Sequence, residues 1–432
     1  MPRYHETRGL IIAGVDAAYM EERAVVTCFL RHEGAVLLCR RSDEVGTYAG
    51  LWGAVAGHAE GDPGAAARQE IREETGLDPD EAVTLVRRGE QFVVADEQAG
   101  IRWTVHPFLF DAAHRDVTPN WETSAYEWVA PTAIRHRETV PELWTSYDRV
   151  RPTVETVASD REHGSAYVSV RALEVLRDEA AIAADGGREQ LFDVARALLD
   201  ARPSMSVVRN RVNRVMHAVR DADTARPVEH VAAAAIERAV SADRRAAEQA
   251  VDHVADCRVA TLSRSGTVLQ ALQYADPDAV LVAESHPGRE GVAVAETLAD
   301  ETDVTLTTDA GFAHALDTWD ADVLLVGADT VLADGRVVNK VGTRAAVICS
   351  SFEGIEVLVT AAVDKLSPDG EIDLEPRDSS EVYDEDKSVT VLNRTFDVAP
   401  PDCIDAVVTE LGLLDQAAVE RAVDRHRRYT EW

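Results

Sequence analysis

Lysine is almost missing from this 432-residue chain: Lys340, Lys365 and Lys387 are the three that occur among 44 basic residues. Cysteine is sparse as well. Cys28, Cys39, Cys257, Cys349 and Cys403 are odd in number, scattered and without CxxC spacing, which excludes a zinc framework and a disulfide scaffold. No apolar run reaches the roughly 18 residues of a membrane span, and MPRYHETRGL at the N-terminus contains no long apolar stretch. The expectation is a cytoplasmic protein in a reducing setting, with no membrane partner. The length fits two or three domains, and neither repeats nor low-complexity segments interrupt them.

Against that scarcity of cations stand 77 Asp and Glu, giving a formal net charge of −33. The acids run along the whole chain and form no tail. A basic partner would account for them. So would life in molar salt, where the Debye length falls to about 3 Å and a carboxylate-rich surface stays hydrated. Loss of lysine in favour of arginine and acids fits the salt reading and points to an extreme halophile. Direct nucleic-acid binding through phosphates is not expected of such a surface.

Residues 20–148 alternate strands and turns (AVVTCFLR, AVLLCRR, VHPFLFDA, AYEWVAP) around one helix, Pro63 to Thr75, an α+β pattern. From 152 to 255 the texture is helical, with apolar residues at i, i+3 and i+4 in Ala166–Ala184, Glu189–Asp200, Ser204–Ala222 and Val228–Cys257. From 256 to 425 short apolar runs alternate with helices: RVATLS, AVLVAES, DVTLTT, VLLVGAD, AAVICS, IEVLVTA and SVTVLN. That alternation predicts a doubly wound parallel sheet, so the fold class is α/β.

Two stretches carry chemistry. In GLWGAVAGHAEGDPGAAARQEIREETGL, Glu70, Glu73 and Glu74 stand at i, i+3 and i+4, on one helix face. Carboxylates so placed repel unless a hard divalent cation such as Mg²⁺ joins them and bridges to diphosphate oxygens. A solvated acidic helix in an acidic protein is the plainer alternative. In VGADTVLADGRVVNKVGT (Val326 to Thr343), Asp329 follows a buried strand, where open α/β sheets bind ligands. Lys340, retained where lysine is rare and close to Gly342 and Thr343 at a helix start, points to a phosphate.

The first stretch resembles the Nudix signature. The resemblance implies a Nudix sandwich that hydrolyses a nucleoside diphosphate derivative, with Glu70, Glu73 and Glu74 holding Mg²⁺ or Mn²⁺ and Glu73 and Glu74 serving catalysis. Two departures stand out: Gln69 occupies the usual Arg position, and the loop after Gly57 is two residues short, with Asp62 nearest to its glutamate.

The second stretch resembles the family that unites the alpha, beta and delta subunits of initiation factor 2B with isomerases of ribose 1,5-bisphosphate and methylthioribose 1-phosphate. RPTVETVASDREHGSAYVSVRALEVL, ARPSMSVVRNRV, VATLSRSGTVLQAL, AESHPGREG, LEPRDSSEV and NRTFDVAPPDCIDAVVTELG match in order. The resemblance implies a Rossmann-like domain that binds a sugar phosphate or nucleotide through Gly164, Ser263, Ser265, Arg289, Gly291, Asp329, Asn339 and Lys340. It also implies at least a homodimer through the C-terminal domain. The isomerases pair Asp329 with a Cys where this chain has Ser263; His163, His286 and Glu290 replace further expected groups. Three readings result: a Nudix hydrolase fused to a phosphate-ligand domain, an aldose 1-phosphate isomerase with a Nudix-like regulatory domain, and a non-enzymatic translation factor.

Overall fold

The computed structural model describes residues 20–432 except 98, 184–186, 369, 371, 385 and 386. The chain forms two compact units, the first ending at Arg151 and the second beginning at Pro152.

In the first unit, strands β1 (Glu21–His32), β2 (Ala35–Arg41), β3 (Trp52–Gly53) and β4 (Val55–His58) precede helix α1 (Pro63–Thr75). Strands β5 (Val83–Arg88), β6 (Phe92–Asp96), β7 (Ile101–Ala112) and β8 (Thr123–Val129) follow, then α2 (Leu143–Asp148). The sheet runs β3-β2-β1-β7-β5, and its centre is a parallel pair in which Glu21–Arg31 lie against Ile101–Asp111. Strand alternation fills both faces. Val26, Cys28 and Leu30 of β1 pack with Ala67 and Ile71 of α1, while Phe29 points to the opposite core with Leu143 and Tyr147 of α2.

α1 begins and ends where its sequence says. The Asp62 carboxylate accepts from the Ala65 N–H at 3.0 Å, Pro63 occupies the first turn, and Gly76 at φ 72° closes the helix. Asp62 is therefore the cap of this helix.

The second unit opens with helices α3 (Val154–Ser159), α4 (Ser165–Ala183), α5 (Arg188–Ala201), α6 (Ser206–Ala218) and α7 (Arg226–Val254) around their own core. Next come β9 (Arg258–Leu262), α8 (Gly266–Ala275), β10 (Ala279–Ala283), α9 (Glu290–Leu298), β11 (Val304–Thr307), α10 (Asp309–Thr318) and β12 (Val323–Gly327). The remainder is β13 (Thr330–Leu332), β14 (Val337–Lys340), α11 (Thr343–Glu353), β15 (Glu356–Thr360), β16 (Leu366–Ser367), β17 (Phe396–Ala399), β18 (Ala406–Thr409), β19 (Gly412–Leu413) and α12 (Gln416–Tyr429).

The main sheet has the order β11-β10-β9-β12-β15-β18-β19, parallel up to the last pair. Its direction of growth reverses between β9 and β12, the place where such sheets open a ligand crevice. Both faces are covered: Leu324 and Val326 face one core, Val323 and Leu325 the other. A second sheet has the order β16-β13-β14-β17, and its strand β13 begins directly after Asp329. Strands of two to four residues give no periodic signal, and the sequence reading had none of these four as strands.

Two expected strands are corrected. AAVICS belongs to α11, whose buried residues Thr343, Ala346, Val347 and Ser350 recur at helical spacing. SVTVLN is irregular and largely exposed; the Asn393 amide and carbonyl bond back to the 377–381 turn instead of a strand partner.

Candidate functional site

Each unit contains a cavity that gathers several of the residues singled out by sequence. The first unit's cavity, about 440 Å³, is lined by Glu70, Glu73 and Glu122, by Tyr48, Trp103 and Trp121, and by Arg23, Arg41 and His58. Glu70 lies so close over Gly57 that a Cβ there would stand 1.8 Å from its Oε1. Gln69 donates to the Glu73 carboxylate at 2.8 Å, tying the two side chains together across one helical turn. Burial first, then Glu73 and Glu122, raise the Glu70 carboxyl above its ordinary range.

Glu74 is placed differently from its two neighbours. It is buried, its Oε1 accepts from the Ala56 N–H at 3.2 Å, and burial pushes its carboxyl up to about 8. It braces the β4–α1 junction and does not line the cavity. Glu122, whose charge acts on Glu70, lines the cavity; it is far from α1 in sequence, so helical spacing could not reveal it.

Tyr48 and Trp103 form one wall of that cavity. The Tyr48 hydroxyl donates to Asp96 at 2.7 Å and accepts from the Trp103 indole at 3.1 Å. His58 stacks on the same indole, 6.0 Å between centroids. Among the described residues no set of three or more His, Cys, Asp or Glu side chains is closed around a metal position.

The second unit's cavity, about 330 Å³, lies at the carboxyl ends of β9 and β12. It brings together Gly164, Ser263, Ser265, Asp329, Asn339 and Lys340. The loops at the strand ends are tied crosswise: the Ser263 N–H donates to Ser285 Oγ at 2.7 Å, and Asp309 accepts from the N–H groups of Ser285 and His286 at 2.9 and 2.6 Å. Ser263 and Ser285 hold left-handed φ of 64° and 62° within this network. Strain of that kind persists only where the surroundings enforce it. Gly327 is required by close approach, since a Cβ there would meet Ser265 Oγ at 2.5 Å.

The helix start expected to be open at Gly342 is closed. α11 does not offer a free N-terminus, because the Asp397 carboxylate accepts from the Gly342 and Arg344 N–H groups at 2.8 and 3.0 Å. Instead, two other helices start at the cavity: α8 at Gly266, capped by Ser265, and α4 at Ser165, whose buried Oγ has no hydrogen-bond partner among the described residues. Helix N-termini attract anions through their free N–H groups and dipole. Arg264 lies between them, exposed and without a carboxylate partner among the described residues.

Lys340 is buried and ion-paired with Glu290, whereas Asn339 donates to Thr343 Oγ1 at 3.0 Å. Two sequence candidates do not line the cavity. Arg289 is exposed, 3.8 Å from Glu284, and Gly291 is fixed by backbone packing, its absent Cβ leaving room for the Ala283 carbonyl.

Lys365 was missed. It is buried in the same cavity, its Nζ donates to the Ala328 carbonyl at 2.5 Å, and burial lowers its amine against the opposing pull of Asp329. The scarcity argument that selects Lys340 selects Lys365 equally: two of three lysines face one cavity. Asp160 does not line the cavity but holds His163, which does. Burial raises its carboxyl, but the His163 ring and the N–H groups of His163 and Glu162 outweigh that and hold it at about 2.

Comparison with known proteins agrees with this division. A model of the initiation factor 2 subunit family matches residues 161–416, and a NUDIX domain model matches residues 20–154. A ribose 1,5-bisphosphate isomerase of Haloterrigena turkmenica is 31% identical over 294 residues, covering 60% of this chain and 88% of that protein. The crystal structure of a translation initiation factor eIF-2B from Pyrococcus horikoshii aligns at TM-score 0.53 and 25% identity, over 60% of this chain and 94% of its own. The tetrameric eIF2B-beta2-delta2 complex from C. thermophilum aligns at TM-score 0.51 and 19% identity, over 66% and 95%. The chain thus belongs to the initiation factor 2 subunit family and has a NUDIX domain at its N-terminal end.

Proposed function

We propose that the N-terminal unit is a divalent-cation-dependent hydrolase of a nucleoside diphosphate derivative, joined to a C-terminal domain that binds a sugar phosphate or nucleotide. The observation that carries the hydrolase reading is the set Glu70, Glu73 and Glu122 in an aromatic-walled cavity. Glu70 and Glu122 have no cation at ion-pair distance among the described residues, and burial works against Glu70 ionising. Oxygen donors in that condition fit Mg²⁺ or Mn²⁺, with Glu70 and Glu73 as its first holders. The cation, when bound, polarises the phosphoryl oxygens and offsets their charge. Trp103 and Trp121 supply faces for a base, and Arg23 and Arg41 supply charge for phosphates.

Phosphate release from a panel of nucleoside diphosphate derivatives tests this reading. Turnover should require Mg²⁺ or Mn²⁺ and fall at least about 100-fold in Glu73→Gln. No turnover across the panel with either metal overturns it.

For the C-terminal unit, the start of α8, the start of α4, Arg264 and the two buried lysines support a phosphate ligand. Their gathering at the reversal point of the main sheet supports the reading of a Rossmann-like ligand domain. Relatives that form a tetramer suggest a homo-oligomer here, at least a dimer through this domain. The acidic, lysine-poor surface supports adaptation to high salt in a cytoplasmic setting.

A second reading is favoured by one observation. Asp329 and the desolvated amine of Lys365 face the same space, and such a pair can move protons between neighbouring carbons of an opened aldose 1-phosphate. Conversion of ribose 1,5-bisphosphate to its ketose, abolished by Asp329→Asn, would establish it.

A further inference from the structure

The C-terminal unit has another cavity, of about 290 Å³, whose walls include four guanidinium groups. Arg214 comes from α6, Arg238 and Arg245 from α7, and Arg425 from α12, beside Tyr429. Four cations meeting in one concavity are unexpected in a chain of net charge −33.

Their charges are largely uncommitted. Among the described residues, Arg238 and Arg425 have neither a hydrogen bond nor an ion pair. Arg245 reaches the Ser241 carbonyl at 3.3 Å. Arg214 bonds Asp364 at 3.0 Å and lies 5.6 Å over the Tyr429 ring. Of the two carboxyls on the wall, Asp364 is already shared with Arg211. Glu410 accepts from the Val363 N–H at 2.8 Å, and its carboxyl is held up by burial and by Asp364 and Asp243. The cavity is therefore left with an excess of positive charge.

We propose that it is an anion site for a small molecule with a diphosphate or polyphosphate group. A guanidinium fork matches phosphate oxygens in pairs. Three such forks free of carboxylates, on two helices, exceed what one phosphate balances and suit two or more.

The site is apart from the phosphate cavity described above, yet the two share one 3-10 turn, Val363–Lys365. Asp364 lines the second cavity and Lys365 the first. Asn210 clamps the turn, donating to the carbonyls of Asp364 and Leu366 at 2.8 and 2.9 Å. A diphosphate that draws Arg214 from Asp364 acts on the peptide next to Lys365, so the ligand is an effector of the first cavity.

Calorimetric titration of inorganic pyrophosphate into the full chain, with EDTA present to exclude metal-dependent turnover, tests the site. The double variant Arg238→Ala/Arg425→Ala should weaken one binding event at least tenfold, and Arg264→Ala, in the first cavity, should leave that event unchanged. Both carry substitutions of exposed side chains, and circular dichroism checks their fold; Arg425→Ala alone should weaken the event at least threefold. No saturable binding to the unaltered chain, or equal binding by the double variant, overturns the proposal. So does an oligomer that Arg238→Glu/Arg425→Glu splits while pyrophosphate affinity stays the same, which would assign the arginines to a subunit contact. Hydrogen exchange across 363–367 should slow with pyrophosphate; unchanged exchange in a chain that binds it would overturn the effector role.

Discussion

Glu290 holds the ammonium of Lys340 within the C-terminal cavity, so the chain itself neutralises the cation that sequence marks for phosphate. A carboxylate about 6 Å from a phosphate, at an effective dielectric of about 20, opposes it by roughly 2–3 kcal/mol before relaxation. Glu290→Gln should therefore tighten inorganic phosphate about tenfold. It should also lower stability by about 2 kcal/mol without ligand, because a buried pair is broken, and phosphate should restore it. Thermal shift with and without phosphate reads both effects. Unchanged phosphate affinity would remove Lys340 from the ligand contacts.

Gly57 leaves no room for a side chain beside Glu70. Gly57→Ala should displace that carboxylate, cost about 1–3 kcal/mol, and weaken the metal dependence of any turnover. Gly46→Ala has open space around it and should be neutral. Equal metal titrations for both variants would argue against Glu70 as a metal holder.

Asp364 sits between Arg211 and Arg214, with His426 3.7 Å away. Burial alone would raise its carboxyl, but His426, Arg214 and Arg211 pull it far below its ordinary 3.8. A depressed acid contributes stability above its unfolded-state value and loses it as pH falls below that value. Asp364→Asn should cost about 3–5 kcal/mol at neutral pH. The difference from the unaltered chain should shrink as pH drops below 3.8. A pH-independent difference in denaturant unfolding would contradict the assignment.

The charge of −33 predicts a salt requirement. Raising KCl from about 0.2 to about 2 M should raise the melting temperature, since screening weakens repulsion among the carboxylates. A melting temperature that falls over this range would contradict salt adaptation.

The resemblance to the isomerases implies a thiol at the place of Ser263. Ser263→Cys should raise conversion of ribose 1,5-bisphosphate at least about tenfold, a thiol being the better proton donor and acceptor near neutral pH. No gain in a folded variant would count against isomerase chemistry in this cavity.

Much of this was legible in the sequence. α1 was readable to the residue, because Asp62, Pro63 and Gly76 mark its ends chemically. The strand–helix alternation after Arg258 announced a parallel sheet, and Asp329 the carboxyl end of one of its central strands. The rest depended on distant partners. Nothing near Lys340 reveals Glu290, fifty positions earlier, and nothing near Gly342 reveals that Asp397 occupies its amides. Glu74 shares a helix face with Glu70, yet one turn of depth separates a buried brace from a cavity wall. AAVICS failed because a short apolar run suits a strand and a buried helix equally.

The distribution of lysine has a practical side. Two of the three amines, Lys340 and Lys365, are buried, and Lys387 is exposed. A reagent that acylates side-chain amines on the folded protein will therefore mark one position, Lys387. Once the more acidic α-amino group of the chain is blocked, a fluorophore or surface tether can thus be attached at one defined side chain without altering a single residue.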